Sequence, residues 1–411
     1  MTITTHLPTQ KTLKASHLND QEKSAKEFTR KLPRRASLKR GYALIPQLSR
    51  LARDLEVTTD NLFELLEFRL GLMQTAFDHL PQLEPRAIQQ LAYEFDLPND
   101  LIADTTVGYF YSKLGLSFQI TNKPNANASI LETLVPFPER LKVCPMCLRE
   151  KRKYRLVWQT SWAFVCTRHQ ILLQDTCPNC EQPIASERRT TGIPIDHLCC
   201  GNHLVGQPVC VQNLQELRRI SIVAYPHIEH AQSILESVLH GQVEKVFQKP
   251  VPSSQYLKSC ATLLKILWGF ITPTLLMDVP NVVSSAFFDF VLAREAYFRF
   301  LDAEESDVTN VATAISRIWG TTEMMAATMP LVMQLFQLQS QQAMVNELIS
   351  LLKQACYQRP EYPRWILSHL ERQEFNDHHW QYILNELRNW LRKTYFLKKE
   401  DQEHVPNPYP L

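Results

Sequence analysis

The sequence predicts a mostly α-helical protein: an N-terminal helix-turn-helix-like domain, a central double zinc-knuckle module with short β-hairpins, and a C-terminal helical domain. Three observations predict it. Gly is scarce, at 10 of 411 residues, while Leu, Ala, Gln and Glu recur in long helix-forming stretches. Of ten cysteines, only Cys260 and Cys356 fall outside the interval 144–210. On entering that interval the hydrophobic period changes. The implied division is a flexible leader at 1–36, a helical domain at 37–120, a linker at 121–135, a tandem zinc-finger module at 136–213, a helical domain at 214–396 and a tail at 397–411.

The leader is polar, carries Pro8 and Pro33, and lacks the apolar core of a signal peptide. From Ser37 a helical pattern runs to about Leu116, and inside it is an echo at an offset of forty: LARDLEVTTDNL from Leu51 and LAYEFDLPNDLI from Leu91. Each unit reads as a helix, a tight turn and a second helix opening near Thr58 or Asn99, both suited to N-capping. The small Ala52 or Ala92 and the apolar Val57 or Leu97 are what such a corner packs. A pair of helical hairpins in a small bundle fits the same pattern, because the usual turn Gly is missing. The first unit is the stronger candidate for nucleic acid. Arg30 to Arg53 holds eight basic residues and no acid, among them Arg34, Arg35, Lys39, Arg40, Arg50 and Arg53.

After the TNKPNANAS linker come the cysteines. Cys144-x2-Cys147 and Cys166-x2-His169 are two knuckle-spaced pairs, and together they supply four ligands for a closed tetrahedral zinc site. With no open position such a site is structural. Between the pairs, YRLVWQTSWAFVC alternates, placing Trp158, Thr160, Trp162, Phe164 and Cys166 on one face of an expected strand. These aromatics suit a core, although exposed tryptophans would suit base stacking. A second site opens with Cys177-x2-Cys180. Its closing pair is read as His197 and Cys200, which restores the x2 spacing, with Gly201 in the tight turn; Cys199, His203 and Cys210 are the other candidates. Sequential pairing keeps each loop shorter than a cross-braced arrangement. Two structural Zn2+ ions are therefore expected. Arg140 to Arg155 adds a second basic run, including Lys151, Arg152 and Lys153, against the single acid Glu150.

The C-terminal half is helical from about Leu214 to Tyr395, with breaks near 249–254, 278–281 and 359–363. Its most apolar stretch, Ala261 to Met277, contains Lys265 and Pro273 and reads as a buried helix rather than a membrane span. A reducing, cytoplasmic setting is expected, with nucleoid association when the protein is active, and there clustered cysteines favour metal over disulfides. No Gly-rich phosphate loop, nucleophile elbow or open metal site is present, which argues against an enzyme. His378 and His379, near Glu371, Glu374 and Asp377, read as a solvated helix end.

The stretch VPFPERLKVCPMCLREKRKYRLVWQTSWAFVCTRHQILLQDTCPNC resembles the TniQ family. The likeness lies in CP-x-CL at Cys144 to Leu148, Tyr154, Trp158, VC-x-x-H at Val165 to His169, and the LL-x3-CP-x-C run ending at Cys180. It extends more weakly to about Gly41 and Leu204. The Pro-rich opening with Glu-Ser before the first helix is absent, and a basic leader stands in its place. The resemblance implies a non-catalytic target-selection adaptor of a multi-component DNA transposon. Its implied partners are the AAA+ regulator TnsC, an RNA-guided CRISPR effector complex with its guide RNA or target DNA, and indirectly the transposase. Homodimerisation is a further expectation, and membrane association is not expected. The alternative is a TnsD-like protein that binds an attachment-site DNA itself. A net charge of +2 and a comparatively short C-terminal half tilt the reading toward the RNA-guided kind.

Overall fold

The computed structural model describes residues 37–70, 85–115, 141–151, 153–184, 198–202, 209–275, 278–302, 321–358, 362–371, 373 and 377–396. Helices dominate, joined by two short hairpins. The first helices are α1 (Leu44–Asp54), α2 (Thr59–Leu70), α3 (Pro85–Phe95) and α4 (Asn99–Ala103). Leu44, Leu48 and Leu51 of α1, Leu62 and Leu66 of α2, and Leu91 and Phe95 of α3 bury together as one core. Their 3–4 residue spacing is the reason these segments are helical and face inward.

The forty-residue echo is a structural repeat. Both first helices end at a residue with left-handed backbone, Glu56 at φ 59° and Asp96 at φ 54°. Val57 N–H then reaches back to Ala52 O (3.0 Å) and Leu97 N–H to Ala92 O (2.9 Å), closing the six-residue loop of a Schellman end. Gly is the usual residue there, which is why its absence made the turns hard to read. The caps differ. Thr58 Oγ1 accepts from Asn61 N–H at 3.0 Å as expected. Asn99, by contrast, is the first residue of α4 and Pro98 holds the cap position, with no side-chain bond. Arg40, entering α1, is ion-paired with Asp100 and, at 3.3 Å, with Asp104, tying the two repeats together.

Helix α5 (Gly108–Lys113) leads toward the cysteine region, and a second, larger core starts here. It runs without a break through the cysteine clusters into the C-terminal helices. The latter are α7 (Pro226–Leu239), α8 (Ser253–Trp268), α9 (Asn281–Asp302), α10 (Thr322–Phe336), α11 (Gln341–Gln358), α12 (Tyr362–Glu371) and α13 (His378–Leu391). Helix α10 is buried on nearly every side, so its sequence shows little amphipathic pattern. The apolar stretch from Ala261 is the buried end of α8 followed by a turn at Pro273–Leu275. No helix among the described residues is long and apolar enough to cross a membrane.

Among the described residues two hairpins complete the fold. In the cysteine region β1 (Val165–Cys166) pairs antiparallel with β2 (Ile171–Leu172). Farther on, β3 (Glu244–Val246) pairs with β4 (Lys249–Val251) through a two-residue turn in which Phe247 and Gln248 both have positive φ, 54° and 63°. Such a turn normally wants Asn-Gly. Here tertiary bonds hold it, from Phe247 N–H to Phe336 O (3.0 Å) and from Gln248 Nε2 to Gln337 O (2.7 Å).

Candidate metal centres and the surrounding surface

The long strand expected over YRLVWQTSWAFVC is not present. Leu156–Gln159 is a 3-10 turn and only Val165–Cys166 forms a strand. The alternation misled because both faces are buried: Val157, Gln159 and Val165 are as inaccessible as Trp158, Trp162 and Phe164. The backbone donors of Phe164 and Val165 do not meet a strand. They bond Gln232 Oε1 of α7, at 2.7 and 3.1 Å. Trp158 and Trp162, at 0% and 2% exposure, are core and closed to base stacking.

Two clusters of ligand atoms form around this hairpin. In the first, Cys144, Cys147, Cys166 and His169 place one atom each within 4.8 Å of one another. Cys144 precedes helix α6 (Pro145–Lys151), and Cys147 sits in its first turn with its N–H on Cys144 Sγ at 3.4 Å. Cys166 ends β1, and a turn closed by His169 N–H on Cys166 O (3.1 Å) brings His169 alongside, with Gln170 at φ 49° directly after it. His169 Nδ1 stands 3.4, 3.3 and 3.5 Å from the sulfurs of Cys144, Cys147 and Cys166, and the Cys147–Cys166 sulfurs are 3.7 Å apart.

These are the edges of a coordination tetrahedron. Metal bonds of about 2.3 Å to sulfur and about 2.0–2.1 Å to nitrogen imply sulfur–sulfur edges of ~3.8 Å and sulfur–nitrogen edges of ~3.5 Å. The outer imidazole nitrogen, Nε2, is bonded to Glu150 Oε1 at 2.8 Å. That carboxylate holds the tautomer that turns Nδ1 toward the sulfurs, the usual arrangement behind a metal-bound histidine.

The second cluster is Cys177, Cys180, Cys200 and Cys210, again within 4.8 Å. Its first pair repeats the local design of the hairpin: Glu181, directly after Cys180, has φ 55° as Gln170 has after His169. Its second pair comes from a different structure. Residues 198–202 run antiparallel to 209–213, with Cys200 N–H on Gln212 O and Cys210 N–H on Asn202 O, both at 2.8 Å. Gly201 takes φ 76° at the bend. Sulfur pairs lie 3.8 Å (Cys177–Cys210) and 3.7 Å (Cys180–Cys200) apart. Asn179 and Asn202 each donate an amide N–H to a cluster sulfur, Cys210 and Cys180, at 3.4 Å. Such donors steady the negative charge that four thiolates bring. The sequence preferred His197 as the fourth ligand. His197 lies outside the described residues, as does His203; among the described residues the fourth member is Cys210. Cys199 points its backbone at Asn213 and is not in the cluster.

Buried polar contacts join this region to the helices. Lys142, fully buried, donates from Nζ to the carbonyls of Thr160, Ser161 and Ala163, at 3.3, 3.1 and 2.7 Å. Asp175 Oδ2 accepts from Thr322 N–H at 3.1 Å, at the start of α10. Burial, with Asp175 close by, raises the Glu323 carboxyl to about 7.

The remaining candidate residues scatter. Arg34, Arg35 and Arg152 lie outside the described residues, and Lys151 is placed only as the last residue of α6. Lys39, Arg50 and Arg53 are exposed. Arg40 is engaged with Asp100 and Asp104. Lys153 lies over the Tyr42 ring, 5.0 Å from its centroid. His379 N–H bonds the Asp377 cap, and Glu371 pairs with Arg392 at 2.6 Å, so the His378–His379 group is an ordinary helix start.

Fold and site together define a helical protein built around two cysteine clusters that could each hold a metal ion. Residues 10–173 match the model of the TniQ family, a span that takes in the N-terminal repeat and all four residues of the first cluster. Over that span the chain is similar to the TniQ family. No curated protein matches the chain.

Proposed function

We propose that the protein is a target-selection adaptor that carries two structural zinc ions and itself performs no catalysis. It links an RNA-guided CRISPR effector complex, or target DNA, to the AAA+ regulator TnsC, and through it to the transposase. The observation that carries this reading is the family match over residues 10–173, which spans the helical repeat and closes the first Cys3His cluster. Zinc is the ion that suits both clusters, since all-thiolate and thiolate-imidazole tetrahedra with no open position are its structural sites. The chain then works in the cytoplasm, on the nucleoid.

The sequence of the second helix of the first repeat favours bridging over direct reading of DNA by that helix. Helix α2 carries Asp60, Glu64 and Glu67 against Arg69, a poor charge pattern for a helix entering a groove lined with phosphates. Exposed cations sit on α1 instead, at Arg50 and Arg53, and just before it at Lys39. A TnsD-like role would have to use those and not α2. The test is capture by the tagged full-length protein from a mixture of the regulator, the effector complex and attachment-site DNA. Retention of the regulator together with the effector is expected. Retention of attachment-site DNA with no effector would favour the TnsD-like reading, and retention of none of the three would contradict both.

A further inference from the structure

The first repeat is stitched to the cysteine region by backbone. Tyr42 bridges Arg155, with Ala43 N–H on Tyr154 O (2.9 Å) and Leu156 N–H on Gly41 O (2.8 Å). Two adjoining clefts open along this seam and share Lys153. One, of about 340 Å³, is lined by Tyr42, Cys147, Lys153, Arg155, Thr167 and Arg168. That is within the range of sites that accept nucleotide-sized groups. The other is walled by Gln47, Arg50, Lys153 and Tyr154, with Ser37 and Pro46 at its rim.

Four cations line the pair of clefts, and no carboxylate is among the described lining residues. The nearby acids grip the guanidiniums without lining the clefts. Glu236 holds Arg155 at 3.2 Å and Glu150 holds Arg168 at 2.6 Å, each through Nη2 alone. Each pair fixes a guanidinium in place while leaving N–H donors of its rigid fork for an oxygen ligand. Glu150 is also the residue bonded to His169 Nε2, so Arg168 is positioned by the same carboxylate that orients the first cluster. Arg50 comes from α1, whereas Lys153, Arg155 and Arg168 come from the cysteine region. The two walls therefore belong to different structural units.

We propose that this seam groove binds the sugar–phosphate backbone of a nucleic acid, with Arg50, Lys153, Arg155 and Arg168 contacting successive phosphates. A free phosphate would fill one cleft, while cations spread over two adjoining clefts suit a polymer. Contacts of this kind position a strand without reading its bases. The groove deepens the adaptor reading, and rests on it only for which strand is presented, DNA or RNA.

The test is fluorescence anisotropy of labelled duplex DNA and of a labelled RNA strand, across a salt series. It uses the full-length wild type, Arg50→Gln, Lys153→Gln, Arg168→Gln and the triple variant. For duplex DNA each substitution is expected to weaken binding and to lower the slope of log affinity against log salt by about 0.9. Metal content monitors folding, and Arg50→Gln and Lys153→Gln keep the test decisive if Arg168→Gln disturbs the first cluster. Unchanged affinity and slope in the triple variant, for whichever nucleic acid binds, would overturn the proposal. So would a wild type that binds neither nucleic acid but binds inorganic phosphate or pyrophosphate. Failure of the adaptor reading appears elsewhere, as loss of partner capture by the wild type.

Discussion

Three thiols and an imidazole packed at contact distance cannot all ionise without a cation among them. Hydrogen bonding to Cys144 and then Cys166 pushes the Cys147 thiol far up, while the same contacts, from Cys144 and then Cys147, pull Cys166 down. A divalent ion supplies the charge that lets closely packed thiols deprotonate together. Structural zinc in small modules contributes about 10–16 kcal/mol of apparent free energy at neutral pH, so a lost ligand costs the local fold as well as the ion. Cys166→Ser and Cys210→Ser are each expected to lose one of two zinc equivalents, measured by elemental analysis of the purified protein. Cys199→Ser, Cys260→Ser and Cys356→Ser keep both. Retention of both ions by Cys210→Ser, with loss of one in His197→Ala, would move the second site to His197. The pairs Cys144–Cys147, Cys166–His169 and Cys177–Cys180 were legible in the sequence because a knuckle has a fixed length. Cys210 was not, since it meets Cys200 across an antiparallel pair, and the loop between such strands can have almost any length.

The elements divide in the same way between local and tertiary causes. The helices of the N-terminal repeat could be read from their period and from the echo of one unit in the other. The two turns could not be read from a Gly, because Glu56 and Asp96 hold the left-handed position. A non-Gly residue there costs roughly 1–2 kcal/mol, partly offset by the greater chain entropy that Gly loses on folding. Glu56→Gly is therefore expected to stabilise the protein by about 0.5–1 kcal/mol, seen as a higher denaturation midpoint with unchanged slope. Asp96→Gly gains less, since Asp tolerates that conformation better. A lower midpoint for Glu56→Gly would mean that its side chain supports the turn. The misplaced strand and the unread hairpin share one reason. Phe164 and Val165 bond to Gln232 of α7, and the Phe247–Gln248 turn is held from the end of α10. Neither partner is near in sequence, so no local pattern announces them.

At the scale of the whole molecule, the cysteine region serves as the hub of the fold. On one side it bridges to the first repeat through Tyr42 and Arg155. On the other, Gln170 donates to Glu229 (2.7 Å), Gln232 accepts from the β1 segment, and Arg155 pairs with Glu236 (3.2 Å). Those three positions of α7 lie on one helical face, three and four residues apart. Asp175 does the same for α10. Loss of the first ion would therefore loosen the seam that joins both halves. The C-terminal helices gave a helical period and no motif, because their apolar residues answer to packing alone. The proposed adaptor role makes a plain demand of the living system: the protein should set where insertions fall. The most direct measurement maps insertion sites by sequencing in cells carrying the intact transposon, its deletion of this gene, or Cys166→Ser. Insertions concentrated at the selected site with the wild type, and lost from it in the other two while transposase remains present, are expected. Insertions that stay at the same site and frequency without the protein would contradict a role in target selection.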